Sequence, residues 1–448
     1  MCKMRAVLLF AAILLVSGTT VFAQPVDELE EGTPGEIEPS AGAREKPQFG
    51  FTMNFLIGLS SYEDIDGNQV AFQRFSLFPE FSYGKWGVGL DFTFEFDGDW
   101  KLRDLDKDGK ADSWTTFTDY LHKFYYVRYG FKGDPIYGRI GAFSRYTLGH
   151  GLIMQEYSNT LFYPQVVQLG LNLDIDGTAF NFPYVGLETV VDDVLDWDII
   201  GLRAYARPLV RSSKPLVNKL KLGATVVTDL DPQELPTDSP EDDPASESVT
   251  EFGLDVEMPL LERQDMSLIA YADWATITGK GSGSFIGSSY TYRWFTALAQ
   301  LRFFGKQFVP SYFDPYYERE RGTKYASLDA YDEFYVGYLI GTRIGIASIL
   351  NFYFTWEDGF NDPIGPRVQT GIGTAENAIP KIDASFLYDK KDIDSFEEFF
   401  SEEDSLMQLE VVYKATTGAA IAFIYQRSYS AYTLDVTSRT LVETRFSF

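Results

Sequence analysis

Apolar and polar residues alternate with a period of two, for about ten residues at a time, and this restricts the fold more than any other feature of the chain. In "WGVGLDFTFEF" at 86–96, Trp86, Val88, Leu90, Phe92, Phe94 and Phe96 share one face, while Gly87, Gly89, Asp91, Thr93 and Glu95 share the other. Such alternation marks a strand with two chemically different faces. Its 11 residues exceed the usual globular strand of about six and suit a tilted strand that crosses hydrocarbon. The pattern returns at 219–229, 251–260, 381–388 and 407–414, and more weakly at 49–59, 71–83, 119–131, 135–146, 166–176, 178–190, 197–208, 265–276, 291–304, 333–345, 346–357 and 418–430. With the final segment, 441–448, this makes 18 candidate strands.

One apolar face per strand needs a cover. The chain holds 37 Phe, 28 Tyr and 7 Trp, and no non-strand segment looks able to bury so much ring surface. A second packed sheet is the alternative, and the strand lengths argue against it. Past the N-terminal run no apolar stretch approaches the 18 or so residues of a membrane helix, so only a closed barrel could satisfy every backbone group in lipid. The expectation is therefore an all-β, transmembrane, antiparallel up-and-down β-barrel over 49–448, with about 16 strands (14 to 18) and an even number so that both ends share one side. Short links at 83–87, 131–135 and 174–177 alternate with long polar ones at 97–118, 144–165 and 229–247. Such asymmetry predicts short periplasmic turns and long acidic external loops. Connections at 305–332 and 358–378 fit neither side.

The N-terminus is separable. Lys3 and Arg5 precede an apolar run from Ala6 to Val16, and Val21-Phe22-Ala23 supplies small residues for cleavage. Residues 1–23 therefore read as a signal peptide. The only cysteine, Cys2, would leave with it. Residues 24–48, acidic and rich in Pro and Gly, read as a disordered periplasmic extension. A net charge of −27 with no basic stripe argues against nucleic acid as a partner.

At the C-terminus, "LVETRFSF" places Val442, Thr444, Phe446 and Phe448 on one face and ends on an aromatic ring. This resembles the last strand of Gram-negative outer-membrane β-barrels. The resemblance implies a strand that closes the barrel against the first, a signal read by the barrel-assembly machinery, and a place among outer-membrane lipids. It concerns an architecture, over 49–448, and no narrower family; oligomeric state stays open.

Candidate functional residues follow from the polar faces. Arg203, Arg207, Lys219 and Lys221 on two successive strands, Glu251, Asp255 and Glu257 on the next, and Asp91 and Glu95 elsewhere are expected to face the lumen. Charged rings there would set ion preference; pairing among them would instead fill the interior. "DLDKDGKAD" at 104–112 places Asp104, Asp106 and Asp108 before a glycine, with Asp112 and the Lys110 carbonyl available to complete an oxygen cage. It is a candidate Ca²⁺ loop, similar to those of EF-hand and thrombospondin-type repeats, although Thr115 stands where an EF-hand's closing Glu belongs. A solvated acidic loop is the alternative, as it is for 229–247, with eight acidic residues and no basic one. The aperiodic stretch 146–164, with His150, is a candidate constriction loop. Neither His122 nor His150 has a fixed nucleophile or acid beside it in the sequence, so no enzyme is expected. The functional expectation is a channel passing small solutes through a charged lumen. The alternative is a surface-exposed structural or ligand-binding barrel with a blocked lumen.

Overall fold

The computed structural model describes residues 49–447, apart from 64–68, 105–106, 108, 162, 164–165, 233–247, 348, 361–364, 376–377, 394, 402–403, 417 and 431–434. The proposed signal peptide and acidic extension, most of the 229–247 run, Asp106, Asp108 and Phe448 lie outside the described residues.

Every strand pairs antiparallel with its sequence neighbours. The strands are β1 (Phe49–Glu63), β2 (Gln69–Tyr83), β3 (Trp86–Leu90 with Phe92–Phe96), β4 (Phe124–Tyr129), β5 (Ile136–Gly141), β6 (Gly170–Asp176) and β7 (Val185–Val191). Next come β8 (Ile199–Ala206), β9 (Lys221–Asp229), β10 (Val249–Arg263), β11 (Met266–Ile277), β12 (Ser282–Tyr292), β13 (Phe295–Phe304) and β14 (Tyr335–Ile346). The last are β15 (Leu350–Gly359), β16 (Arg367–Thr374), β17 (Ile382–Lys390), β18 (Ser405–Thr416), β19 (Ala419–Ser430) and β20 (Asp435–Ser447). The two parts of β3 are one strand, since both pair with β2 around an unpaired Asp91. β20 returns to β1, with Asn54 opposite Ser447 and Ile57 opposite Thr444, and closes the sheet. Two short helices lie in connections, α1 (Phe117–Leu121) and α2 (Tyr317–Ser327).

The described residues thus form a barrel of 20 strands, not about 16. All 18 periodic segments correspond to strands; β12 and β16 are the additional two. β12 reads SGSFIGSSYTY and β16 RVQTGIGT, so Gly, Ser and Thr leave too little apolar side chain for a period to show. The two additions also resolve the misfit connections. Residues 358–378 contain β16, and 305–334 now falls at the same end as 97–123, 142–169 and 230–248. We refer to this as the loop end, and to the opposite rim as the turn end.

Outward positions carry Leu59, Phe252, Leu254, Trp274, Ile286, Phe423 and Val442, all exposed. A wall this apolar suits hydrocarbon and not water. The largest cluster of buried apolar residues lies inside the barrel.

Candidate constriction and lumen

Two connections at the loop end fold into the barrel. Residues 142–169 form a hairpin-like finger: the Tyr146 amide donates to the Tyr157 carbonyl at 2.8 Å and the Tyr157 amide returns a bond at 2.9 Å. Its tip turns through Gly149 (φ 62°) and Gly151 (φ 87°), where a side chain would strain the backbone. Residues 305–334 lie alongside. The Ser311 amide donates to Leu152 O at 2.8 Å, the Phe313 amide to Ile153 O at 3.1 Å, and the Gln155 amide to Phe313 O at 3.0 Å. Met154, Tyr157, Tyr312, Phe313 and Tyr317 are fully enclosed where the two segments meet.

The wall is shaped to receive them. At Gly283 on β12 a Cβ would stand 2.3 Å from the Phe308 ring, and at Gly253 on β10 it would stand 2.8 Å from Ile153 Cδ1. Bare backbone at these inward positions lets the plug approach. Val190, Ile199, Val227, Val249, Ala275, Ile277, Phe285, Phe304 and Tyr335 complete the packing, and all of them belong to β7–β14.

Polar clamps fix the finger. His150 stacks on Tyr271 at 4.4 Å, with Nδ1 2.8 Å from Asp273 Oδ1 and Nε2 3.1 Å from Glu257 Oε2. Burial disfavours its charge, but donation to the two carboxylates outweighs burial and raises the imidazole to about 9. Beside it Arg203 donates twice to Asp255, at 2.9 and 2.7 Å, and once to Glu188 at 3.1 Å. On α2, Arg321 reaches Asp229 at 2.9 Å, and the Tyr317 hydroxyl donates to the same carboxylate at 2.6 Å. Tyr157 donates to Glu318, whose carboxyl burial pushes up despite Arg321 nearby.

The remaining wall is different. On β15–β19 the inward residues include Thr355, Gln369, Ser385, Gln408 and Gln426, none of them buried. Where the finger faces this side, Arg145 pairs with Glu156 at 2.6 Å, and Arg343 of β14 stands 4.0 Å from Glu156 with 60% of its side chain exposed. Across the lumen Glu410 pairs with Arg445 at 2.8 Å, and Lys414 pairs with Asp383.

The expected lumen residues sort unevenly. Arg203, Asp255, Glu257 and Lys221 come together, with Lys221 Nζ 3.4 Å from Glu257. Arg207 lies just past β8 at the turn end, 2.7 Å from Asp176. Glu95 points inward and pairs with Arg103 at 2.8 Å, and Asp91 is held by Thr93 at 2.5 Å and by Tyr163. Two placements differ in detail from the expectation. Lys219 belongs to a 3₁₀ turn instead of the strand, which begins two residues later, and it pairs with Glu262 with half of each side chain in water. Glu251 points inward and is fully buried, with Tyr312 and Lys324 of the second plug segment near it.

In the proposed Ca²⁺ loop, Asp104 accepts from the Gly109 amide at 2.9 Å, and Asp112 accepts from Arg103 at 3.1 Å. Among the described residues no acidic or histidine cluster is arranged to hold a metal ion. Of the C-terminal set, Val442 is exposed on the outer wall and Phe446 stacks on Phe55 at 6.1 Å. The sequence reading missed Arg145, Glu156, Arg343, Tyr271, Asp273 and the whole second plug segment. One signal was available: 305–332 carries Phe308, Tyr312, Phe313, Tyr316 and Tyr317 without any period, and a solvated loop would not hold so many rings.

No protein-family profile matches the sequence, and no curated protein matches it. Among solved structures the chain is similar to Pseudomonas aeruginosa OpdK with vanillate, at 12% identity and a TM-score of 0.39, covering 89% of this chain and 98% of that one. Similarity to P. aeruginosa OpdL is at 10% identity and 0.34, covering 90% and 97%. For Acinetobacter baumannii OccAB4 it is 10% and 0.35, covering 90% and 98%.

Proposed function

We propose that this chain is a Gram-negative outer-membrane channel, passing small hydrophilic solutes by diffusion between the two-segment plug and the polar wall of β15–β19. The observation that carries this reading is the lopsided plug: its apolar side chains pack on β7–β14 and, through Tyr163, on β4, and none of the buried apolar clusters described lies on the inner face of β15–β19. Side chains fill a barrel of about eight strands, whereas 16 to 18 leave an aqueous channel. Twenty strands with the inner face of β15–β19 free of apolar packing thus leave room for water and solute. Turns lie in the periplasm and the long acidic loops outside, and Val442, Thr444 and Phe446 belong to the strand that the assembly machinery reads.

The charges along the passage, Arg145, Glu156, Arg343, Asp383, Lys414, Glu410 and Arg445, would set ion preference, in place of the ring first expected around Arg203. Ca²⁺ at the 104–112 loop would require Asp112 to leave Arg103. Purified protein in planar lipid bilayers is expected to give stepwise conductance. Correctly inserted protein that leaves the bilayer sealed at every voltage would overturn this reading in favour of the blocked-lumen barrel.

A further inference from the structure

Two other loop-end connections turn the opposite way. In 97–123, Trp114 stacks on Phe94 at 4.5 Å and 3°, and its Nε1 donates to Thr93 O at 3.1 Å. Phe94 faces outward two residues below the end of β3, about 7 Å down the outer wall. Trp100 lies against Phe75 and Phe96, also outward-facing. In 391–404, Ile393 and Phe399 pack on Val368, Tyr388, Phe354, Trp356, Phe386 and Met407, an outward cluster of β15–β18. The Tyr388 hydroxyl donates to Phe399 O at 2.5 Å, which fixes the descent.

Each connection thus covers wall that would otherwise face lipid, and then presents new rings outward. Phe117 is 78% exposed and Phe396 81%, with Trp100, Tyr120 and Phe400 also exposed. Phe396 and Phe400 meet edge to face at 5.5 Å and form one knob.

We propose that 97–123 and 391–404 are lateral membrane anchors that dock these rings into the lipid leaflet at the loop end. This rests on the transmembrane reading above. Continuity identifies the occupant as lipid, since both knobs extend the same outer face that carries the apolar band. They stand on β2–β3 and on β15–β18, at least four strand intervals apart across the β20–β1 seam, or about 19 Å. A partner protein approaching the seam would meet two projections instead of a plane, whereas fluid chains fill the space around both. Rings at the water–hydrocarbon boundary suit this role.

The sequence eases the test, since Cys2 is its only cysteine. In a Cys2→Ser background, Phe117→Cys and Phe396→Cys are labelled with a nitroxide in phosphatidylethanolamine–phosphatidylglycerol vesicles. Accessibility to oxygen and to a water-soluble nickel chelate is read by power saturation. Leu254→Cys on the mid-wall and Ser213→Cys in a turn are the lipid and water references. The expected result is that both loop labels favour oxygen several-fold, as Leu254→Cys does. Loop labels that match Ser213→Cys, while Leu254→Cys still reads lipid, would overturn the anchors and leave the barrel standing. Labels shielded from both reagents would overturn them in favour of a protein contact. A water-like Leu254→Cys would sink the transmembrane reading itself.

Discussion

Two stretches of the inner wall, β7–β14 and β15–β19, solve the same problem in opposite ways. Over β7–β14 the inward residues near the loop end are mostly apolar, with Asp229 and Glu251 among them, and two chain segments cover them. Over β15–β19 the inward residues are largely polar, with Thr355, Gln369, Ser385, Gln408 and Gln426 beside the charged Arg367, Asp383, Asp389, Glu410 and Lys414, and the plug meets this side through the ion pair of Asp314 with Arg367 at 3.9 Å. The difference teaches that a wide barrel need not choose between a filled and an empty interior. Burying a large side chain contributes roughly 2 kcal/mol, so the rings of Tyr157, Phe308, Phe313 and Tyr317 hold the plug to one side. The polar stretch offers no apolar surface of that kind for a plug to bury, and its Thr, Ser and Gln side chains stay open to water.

The largest expected effect removes this contrast. Replacing 147–156 with a short Gly-Ser link deletes the finger tip and its contacts with 305–334. Single-channel conductance in planar bilayers should rise several-fold, because the β7–β14 wall then borders the passage as well. Unchanged conductance would show that the finger does not limit flow.

A smaller effect comes from loosening one clamp. His150 has an ordinary value of 6.5, raised to about 9, so its contribution is fully present below 6.5 and fades as pH rises through about 9. At full strength it would be worth roughly 3 kcal/mol by linkage, as an upper bound for a group that still touches water. Channel noise or mean conductance should therefore increase between pH 8 and 10 in the native protein. In His150→Phe, which keeps the stack on Tyr271 but has no proton to lose, the pH step should vanish. A step that survives in the variant would point to other groups.

A third test concerns the border between the two stretches. Arg343→Glu reverses a mostly exposed charge next to Glu156 and leaves the plug contacts intact. Under a tenfold salt gradient the reversal potential should move toward cation preference, with little change in conductance. The same reversal at Arg203 would instead bury a charge against Asp255 and Glu188 and destabilise the clamp.

Much of this architecture was legible because lipid imposes a period. Wherever one face meets hydrocarbon and the other water, alternation is strict or nearly so, as in β3 and, apart from Leu406 and Val412, β18. The signal fades where both faces are apolar or both are small. Val190 and Val191, Ile199 and Ile200, and Val226 and Val227 are adjacent apolar pairs at the loop end of β7, β8 and β9, since there the inner face meets the plug while the outer meets lipid. β12 and β16 fade for the second reason. His150 stood out through rarity and an aperiodic setting, but its partners Asp273 and Glu257 lie more than a hundred residues away. No local pattern could join them.

The smallest expected effect concerns the turn-end rim. Alternation alone placed Lys219 inside, on a strand, beside Lys221. The chain instead leaves a 3₁₀ turn at Leu220, and β9 begins at Lys221, so Lys219 meets Glu262 with half of each side chain in water. An exposed pair of this kind contributes roughly 0.2–1 kcal/mol at most. Lys219→Ala should therefore leave conductance and ion preference unchanged and shift thermal unfolding very little, whereas Lys221→Ala, beside Glu257 and the His150 clamp, should move both channel properties measurably. If Lys219→Ala altered selectivity, the Lys219–Glu262 pair at the turn-end rim would border the passage and Lys219 would join its charges.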